Sequence, residues 1–259
     1  MNAFKLTDEQ LQRFREDGYF LANNLFDAEE MNLLRTLARA QHQQGEQAAS
    51  RRDGQGGTIK LTVENELGDD IYSAFVRCHR IVDTMERLLE GEVYHFHHKM
   101  ILKQPLTGGA WEWHQDYGYW YNNACLAPLL ASCMIAVDRA TKENGCLQVL
   151  KGSHQLGRID HIKVGDQTGA DMERVNVALE RFELVHCELE PGSAIFFHSN
   201  LLHCSAQNRS EHPRWALICC YNAARNDPYT ESRHPRYTYL EKWADSRIKE
   251  IGQRDLVQL

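Results

Sequence analysis

The stretch 111-WEWHQDYGYW-120 sets one imidazole and one carboxylate, His114 and Asp116, among Trp and Tyr rings. A packed core disfavours the charge, and a solvated face has no use for so many rings. On a strand, residues two apart project to the same side, so His114 and Asp116 can offer a nitrogen and an oxygen to one metal ion. A third ligand has to come from a distant segment that returns beside the first. The stretch 196-FFHSNLLHCSAQN-208 supplies two candidates, His198 and His203. Two imidazoles and one carboxylate suit iron(II) and leave cis positions open for a chelating ligand and O2. A 2-oxo acid chelates iron through its carboxylate and keto oxygen, and a second carboxylate at its far end needs a cation. Arg214 follows across one turn, with a guanidinium that can grip a carboxylate with two parallel hydrogen bonds.

The elements that must position these residues are legible in part. Over 7-TDEQLQRFREDG-18 a short helix is predicted, with Thr7 as N-cap, Gln10 reaching back and Gly18 as terminator. A strand follows over 19–26. Asp27 and Glu30 repeat the capping signal before an amphipathic helix over 31–41. Residues 42–57 read as an exposed loop, and a helical pattern returns over 70–90. From residue 93 onward the segments 93–102, 131–138, 146–150, 183–189, 193–197 and 215–222 are short and β-rich. They are separated by the turn signals 107-TGG-109, 144-NG-145, 191-PG-192 and 208-NRSEHP-213. Helices first and strands later predict an α+β fold around a β-core. Segment 158–182 reads as an irregular surface insertion or lid, and 239–259 as a tail that could end in a helix.

Bulk properties narrow the function further. The chain has 259 residues, 42% hydrophobic and 25% charged, with a formal net charge of −7. This is enough apolar material for a sizeable core, and the negative balance argues against nucleic-acid or anionic-membrane partners. No apolar run approaches membrane-spanning length, and the polar start MNAFKLTDEQLQRFRED is no signal peptide, so a cytoplasmic protein is predicted. The eight cysteines are spread along the chain without a C-x-x-C pair, which predicts reduced core thiols. Of His95, His97 and His98, one is expected to line a cavity and the others to be structural. His154 is expected to be a turn residue bonded to backbone.

The motifs WHQD at 113–116, NGCLQVLKGSH at 144–154, PGSAIFFHSNLLHCSAQN at 191–208 and Arg214 together resemble the phytanoyl-CoA dioxygenase family of iron(II)/2-oxoglutarate oxygenases, including its ectoine hydroxylase branch. The resemblance runs from 6-LTDEQLQRFREDGYFLANNLF-26 to about Asn222. It implies a double-stranded β-helix (jelly-roll, cupin-like) core with flanking N-terminal helices, within one domain over 1–259. The helical part would cover about 1–92, the jelly roll about 93–225 and the tail about 226–259. It selects His203 over His198 as third metal ligand, and it places Arg214 and Ser205 at the far carboxylate of 2-oxoglutarate. Ser132, Lys99, Trp111 and Lys60 fall at further cosubstrate positions. For the primary substrate it points to Trp120, with Tyr117 or Tyr119, to His97, which stands where the ectoine branch has an amide, and to Arg236. The implied activity is hydroxylation of a small molecule using iron(II), 2-oxoglutarate and O2, by a monomer or homodimer. The alternatives are a desaturase or epoxidase on the same iron, or a catalytically silent jelly-roll binding protein.

Overall fold

The structure, a computed structural model, describes residues 4–43, 48–54, 56–164 and 166–259. Helix α1 (Asp8–Asp17) opens with the expected capping box: the Thr7 hydroxyl accepts from the Gln10 N–H, and the Gln10 side chain accepts from the Thr7 N–H. It ends at Gly18, whose φ of 84° is readily adopted only without a Cβ. Strand β1 (Tyr19–Ala22) is shorter than the strand expected over 19–26, because Asn24 takes a φ of 52° and turns the chain. Helix α2 (Ala28–Gln43) is capped by Asp27, whose carboxylate accepts from the N–H groups of Glu29 and Glu30. The loop expected over 42–57 is partly regular: β2 (Ala49–Arg52) pairs with β3 (Thr58–Glu64), and residues 44–47 and 55 lie outside the described residues.

The helical pattern over 70–90 is two helices, α3 (Ile71–Arg77) and α4 (His79–Leu88), because Cys78 is extended at φ −65°, ψ 144°. Then follow β4 (Val93–Lys103), β5 (Trp111–His114), the short helix α5 (Asp116–Trp120), β6 (Leu130–Ala136) and β7 (Leu147–Leu150). Segment 158–182, expected to be irregular, folds as a hairpin of β8 (His161–Val164) and β9 (Gln167–Ala170) and a helix α6 (Met172–Arg181). Asp171 caps that helix by accepting from the Glu173 N–H. Strands β10 (Leu184–Cys187), β11 (Ala194–His198), β12 (His203–Ser205) and β13 (Arg214–Ala223) complete the sheets, and α7 (Arg247–Val257) is the expected helix of the tail.

Two antiparallel sheets result, with strand orders β1-β11-β6-β13-β4-β3-β2 and β10-β7-β12-β5, plus the β8-β9 hairpin. Period-two alternation lets the large sheet bury both faces. On β13, Leu217, Cys219 and Tyr221 pack with helical residues such as Phe75 and Val82, whereas Ala216, Ile218 and Cys220 face Leu147 and Val149 of the small sheet. All eight cysteines are free and buried, as expected. A bulge interrupts β4: the β13 register passes from Cys220↔His97 to Tyr221↔His95, skipping Phe96. That slip brings His95 and His98 together at 3.1 Å and leaves His97 on the other face. Among the described residues no helix is long and apolar enough to cross a membrane.

Candidate active site

Strand β12 runs beside β5 with His203 and His114 as register partners, and their ring centroids lie 4.0 Å apart. Asp116 joins them by a different route from the shared strand face that its spacing predicted. β5 ends at His114, and Asp116 is the first residue of α5. Gln115, the residue between, is fully buried and sets this corner. Its side chain donates to the Asn200 carbonyl at 2.9 Å and accepts from the Ile159 N–H at 2.7 Å, and its own N–H donates to His161 Nε2 at 3.0 Å. The ligating atoms of His114, Asp116 and His203 all lie within 4.8 Å of one another, and all three residues are buried.

Each imidazole is committed at its other nitrogen. His114 Nδ1 donates to the Glu112 carbonyl at 2.7 Å, and His203 Nδ1 donates to the Leu201 carbonyl at 2.9 Å. Both Nε2 lone pairs are thereby left for a metal. Burial pushes both imidazoles below the usual histidine range; His203 lowers His114 further, while Asp116 opposes the shift at His203. Neutral rings are what metal ligation requires. The Ser132 hydroxyl donates to Asp116 Oδ2 at 3.2 Å, while Oδ1 lies 3.8 Å from His114 Nε2. This N2O donor set, with its outer hydrogen bonds in place, fits iron(II). His198 stands elsewhere, its Nδ1 accepting from the Asn200 N–H at 3.0 Å and its ring 5.9 Å from Phe14.

An inner cavity adjoins the three ligands, lined by Lys99, Ile101, Trp111, Ser205 and Arg214 among others. Arg214 is 3% exposed; its Nε and Nη2 donate to the Gly145 carbonyl, and burial lowers its pKa to about 10. Two expected cosubstrate residues are placed differently. Ser132 is fully buried, with its hydroxyl turned to Asp116 and to Cys220 Sγ. Lys60 lies between Ile59 and Leu61, which pack into the core between the sheets, so strand alternation turns it to the opposite face. The lysine that the sequence reasoning missed is Lys103, fully buried at the end of β4 and lining the same cavity.

An outer vestibule shares Lys99, Trp111, His114 and Asp116 with the inner cavity. Tyr119, Trp120 and His97, which the resemblance assigns to the primary substrate, line it. Trp120 is also core: 3% exposed, it packs on Phe96 at 5.4 Å and on His97 at 5.7 Å. Tyr117 is not at the vestibule, because its hydroxyl donates to the Leu126 carbonyl at 2.6 Å and its ring is buried in the core. Arg236 is not there either. Its guanidinium is held by Asp227 Oδ2 at 2.7 Å, and the same segment presents Arg233 and His234 instead. The His234 ring stacks on His97 at 4.8 Å, and His97 Nδ1 is buried without a hydrogen-bond partner among the described residues. The β8-β9 hairpin closes one side, with the Tyr119 hydroxyl donating to the Thr168 carbonyl. His154 bonds to the Arg15 carbonyl, in the backbone role expected of it.

Known proteins are similar to this chain in sequence and, where solved structures match, in fold. L-proline trans-4-hydroxylase of Streptomyces griseoviridis is 31% identical over 183 residues, covering 64% of this chain and 68% of that protein. Ectoine dioxygenase of Bordetella parapertussis is 26% identical, covering 99% of this chain and 89% of the relative. The crystal structure of EctD from S. alaskensis with 2-oxoglutarate and 5-hydroxyectoine superposes with a TM-score of 0.79 at 23% identity, over 94% of this chain and 89% of that one, which shows a shared fold. The profile of the phytanoyl-CoA dioxygenase (PhyH) family matches residues 14–216, most of the chain. The chain therefore belongs to the phytanoyl-CoA dioxygenase family.

Proposed function

We infer that the protein is an iron(II)- and 2-oxoglutarate-dependent oxygenase that hydroxylates a C–H bond of a small organic molecule. The observation that carries this reading is the convergence of His114, Asp116 and His203 at the mouth of a cavity whose inner end holds the buried Arg214. The two facing antiparallel sheets support a double-stranded β-helix with the helices packed outside it, acting as one catalytic domain. When bound, iron(II) supplies O2 activation coupled to oxidative decarboxylation, so that substrate, 2-oxoglutarate and O2 become hydroxylated product, succinate and CO2.

The chain's own residues bind, orient and exclude water. His114, Asp116 and His203 hold the metal, and Ser132 keeps the Asp116 carboxylate turned toward it. Arg214 and Ser205 take the far carboxylate of 2-oxoglutarate, with Lys99, Ile101 and Trp111 along its length. Trp120, Tyr119, His97 and His234 wall the primary substrate, and Arg233 suits an anionic group on it. L-Proline and ectoine, named in the relatives, set the size class.

The test loads the protein with iron(II) and 2-oxoglutarate under nitrogen, admits O2, and screens amino acids, betaines, phosphonates and acyl-CoA esters. The expected result is substrate-dependent succinate formation with a product carrying one added oxygen atom. A product lacking two hydrogens identifies a desaturase. Absence of succinate with every compound, and of substrate-free turnover, overturns the oxygenase reading in favour of a binding protein.

A further inference from the structure

Lys103 closes β4 directly opposite Arg214, its register partner on β13. β4 presents Lys99, Ile101 and Lys103 to the inner cavity at every second residue. Lys103 is 0% exposed and Arg214 3%. Two cations side by side and withdrawn from water repel each other, and each loses hydration. Among the described residues no ion pair joins a carboxylate to either; Asp53, whose charge acts on Lys103 in the opposite sense to Arg214, is engaged by the N–H groups of Gly57 and Ala110 and by Gln207. Burial, with Arg214 beside it, holds the Lys103 ammonium well below the ordinary lysine range. Such an arrangement disfavours the charged form of Lys103 in the ligand-free fold, and an anion docked beside it restores that form.

The hydrogen bonds around Lys103 point to that anion's place. Its Nζ donates to Ser205 Oγ at 2.8 Å and to the Ala206 carbonyl, leaving a third N–H without a protein partner among the described residues. Because Ser205 Oγ accepts from Lys103, the hydroxyl keeps its own proton for another acceptor. Gly145 lets the chain approach: at φ +75° a Cβ there would lie 3.1 Å from Lys103 Nζ and 2.2 Å from the Ala206 carbonyl oxygen. Its carbonyl also holds Arg214. Guanidinium, ammonium and hydroxyl thus gather at one end of one cavity.

We propose that Lys103 is a second cation for the far carboxylate of the cosubstrate, and that with Arg214 it selects a dicarboxylic 2-oxo acid over one with a single carboxylate. This rests on the oxygenase reading above. The test compares wild type with Lys103→Met, which keeps the apolar stem, and Lys103→Gln, which keeps a donor without the charge. Iron(II)-loaded protein is titrated calorimetrically under nitrogen with 2-oxoglutarate and with 2-oxopentanoate, the same chain without the far carboxylate. Melting of the ligand-free protein is followed alongside.

The expected result in both variants is a loss of about ten- to a hundred-fold in 2-oxoglutarate affinity. 2-Oxopentanoate binding should be unchanged, and the ligand-free Lys103→Met protein should melt at the wild-type temperature or higher. Unchanged 2-oxoglutarate affinity overturns the proposal alone. Equal weakening of both ligands with a lower melting temperature also overturns it, since that marks a packing role. A wild-type protein that takes up neither ligand overturns the oxygenase reading, and the proposal with it.

Discussion

Replacing Ser132 by Ala removes one hydroxyl from a fully buried position while leaving the three metal ligands intact. That hydroxyl is the only hydrogen-bond donor among the described side chains to Asp116, at 3.2 Å from Oδ2. Without it the carboxylate is free to rotate about χ2, and the oxygen turned toward the metal is no longer fixed. Loss of such an outer hydrogen bond weakens metal affinity or activity by about ten- to a hundred-fold, or roughly 1.4–2.7 kcal/mol. The packing loss is small, because only an oxygen is deleted and Cys220, whose Sγ lies 3.3 Å from that oxygen, is a weak hydrogen-bonding partner. Iron(II) affinity should therefore fall with little change in thermal stability. The assay is anaerobic competition for iron(II) against a chromophoric chelator, with melting curves of the metal-free protein as control. Metal affinity within twofold of wild type would refute the argument that Ser132 orients Asp116.

Arg214→Lys keeps the charge but loses the planar fork, so the KM for 2-oxoglutarate should rise by about one to two decades with the metal still bound; an unchanged KM would remove Arg214 from the cosubstrate site. Trp120→Ala should cost about 3–5 kcal/mol of stability and also raise the KM for the primary substrate, because this 3% exposed ring is both core and vestibule wall; a urea melt that does not move contradicts the core part. Burial lowers His198 to about 4, and its Nδ1 accepts from the Asn200 N–H, so the folded state favours the neutral ring. That contribution is fully present above the unfolded value near pH 6.5 and is lost as pH falls toward about 4, at about 1.4 kcal/mol per pH unit. His198→Gln should therefore lose less stability than wild type between pH 7 and 5, by about 2 kcal/mol, and equal losses in parallel urea titrations would refute it.

What could be read from the sequence follows the range of each physical signal. The Thr7–Gln10 capping box and the Gly18 stop are local, and both are where the pattern puts them. The convergence of His114 and His203 depends on a strand register that no local pattern contains, and a resemblance was needed to choose His203 over His198. Asp116 stands beside the two histidines, but not by strand spacing alone, since the corner is set by the buried hydrogen bonds of Gln115 to segments far along the chain. Lys60 faces away from the position the resemblance implies, for a reason visible in the sequence: Ile59, Leu61 and Val63 alternate with polar residues across β3, which turns Lys60 away from the cavity. The same alternation from Lys99 through Ile101 would have pointed to Lys103. Arg236 was three positions from Arg233, the arginine that lines the vestibule, and only the ion pair with Asp227 reveals the difference.

The central claim is that His114, Asp116 and His203 bind one iron(II) beside a 2-oxo acid held by Arg214. Crystals grown under nitrogen with iron(II) and 2-oxoglutarate, measured at the iron absorption edge, test it most directly. The account predicts one anomalous peak within bonding distance of His114 Nε2, an Asp116 carboxylate oxygen and His203 Nε2, with the far carboxylate of 2-oxoglutarate on the Arg214 guanidinium. A peak ligated by His198 or by the His95–His98 pair, or no iron at the three residues, would contradict it.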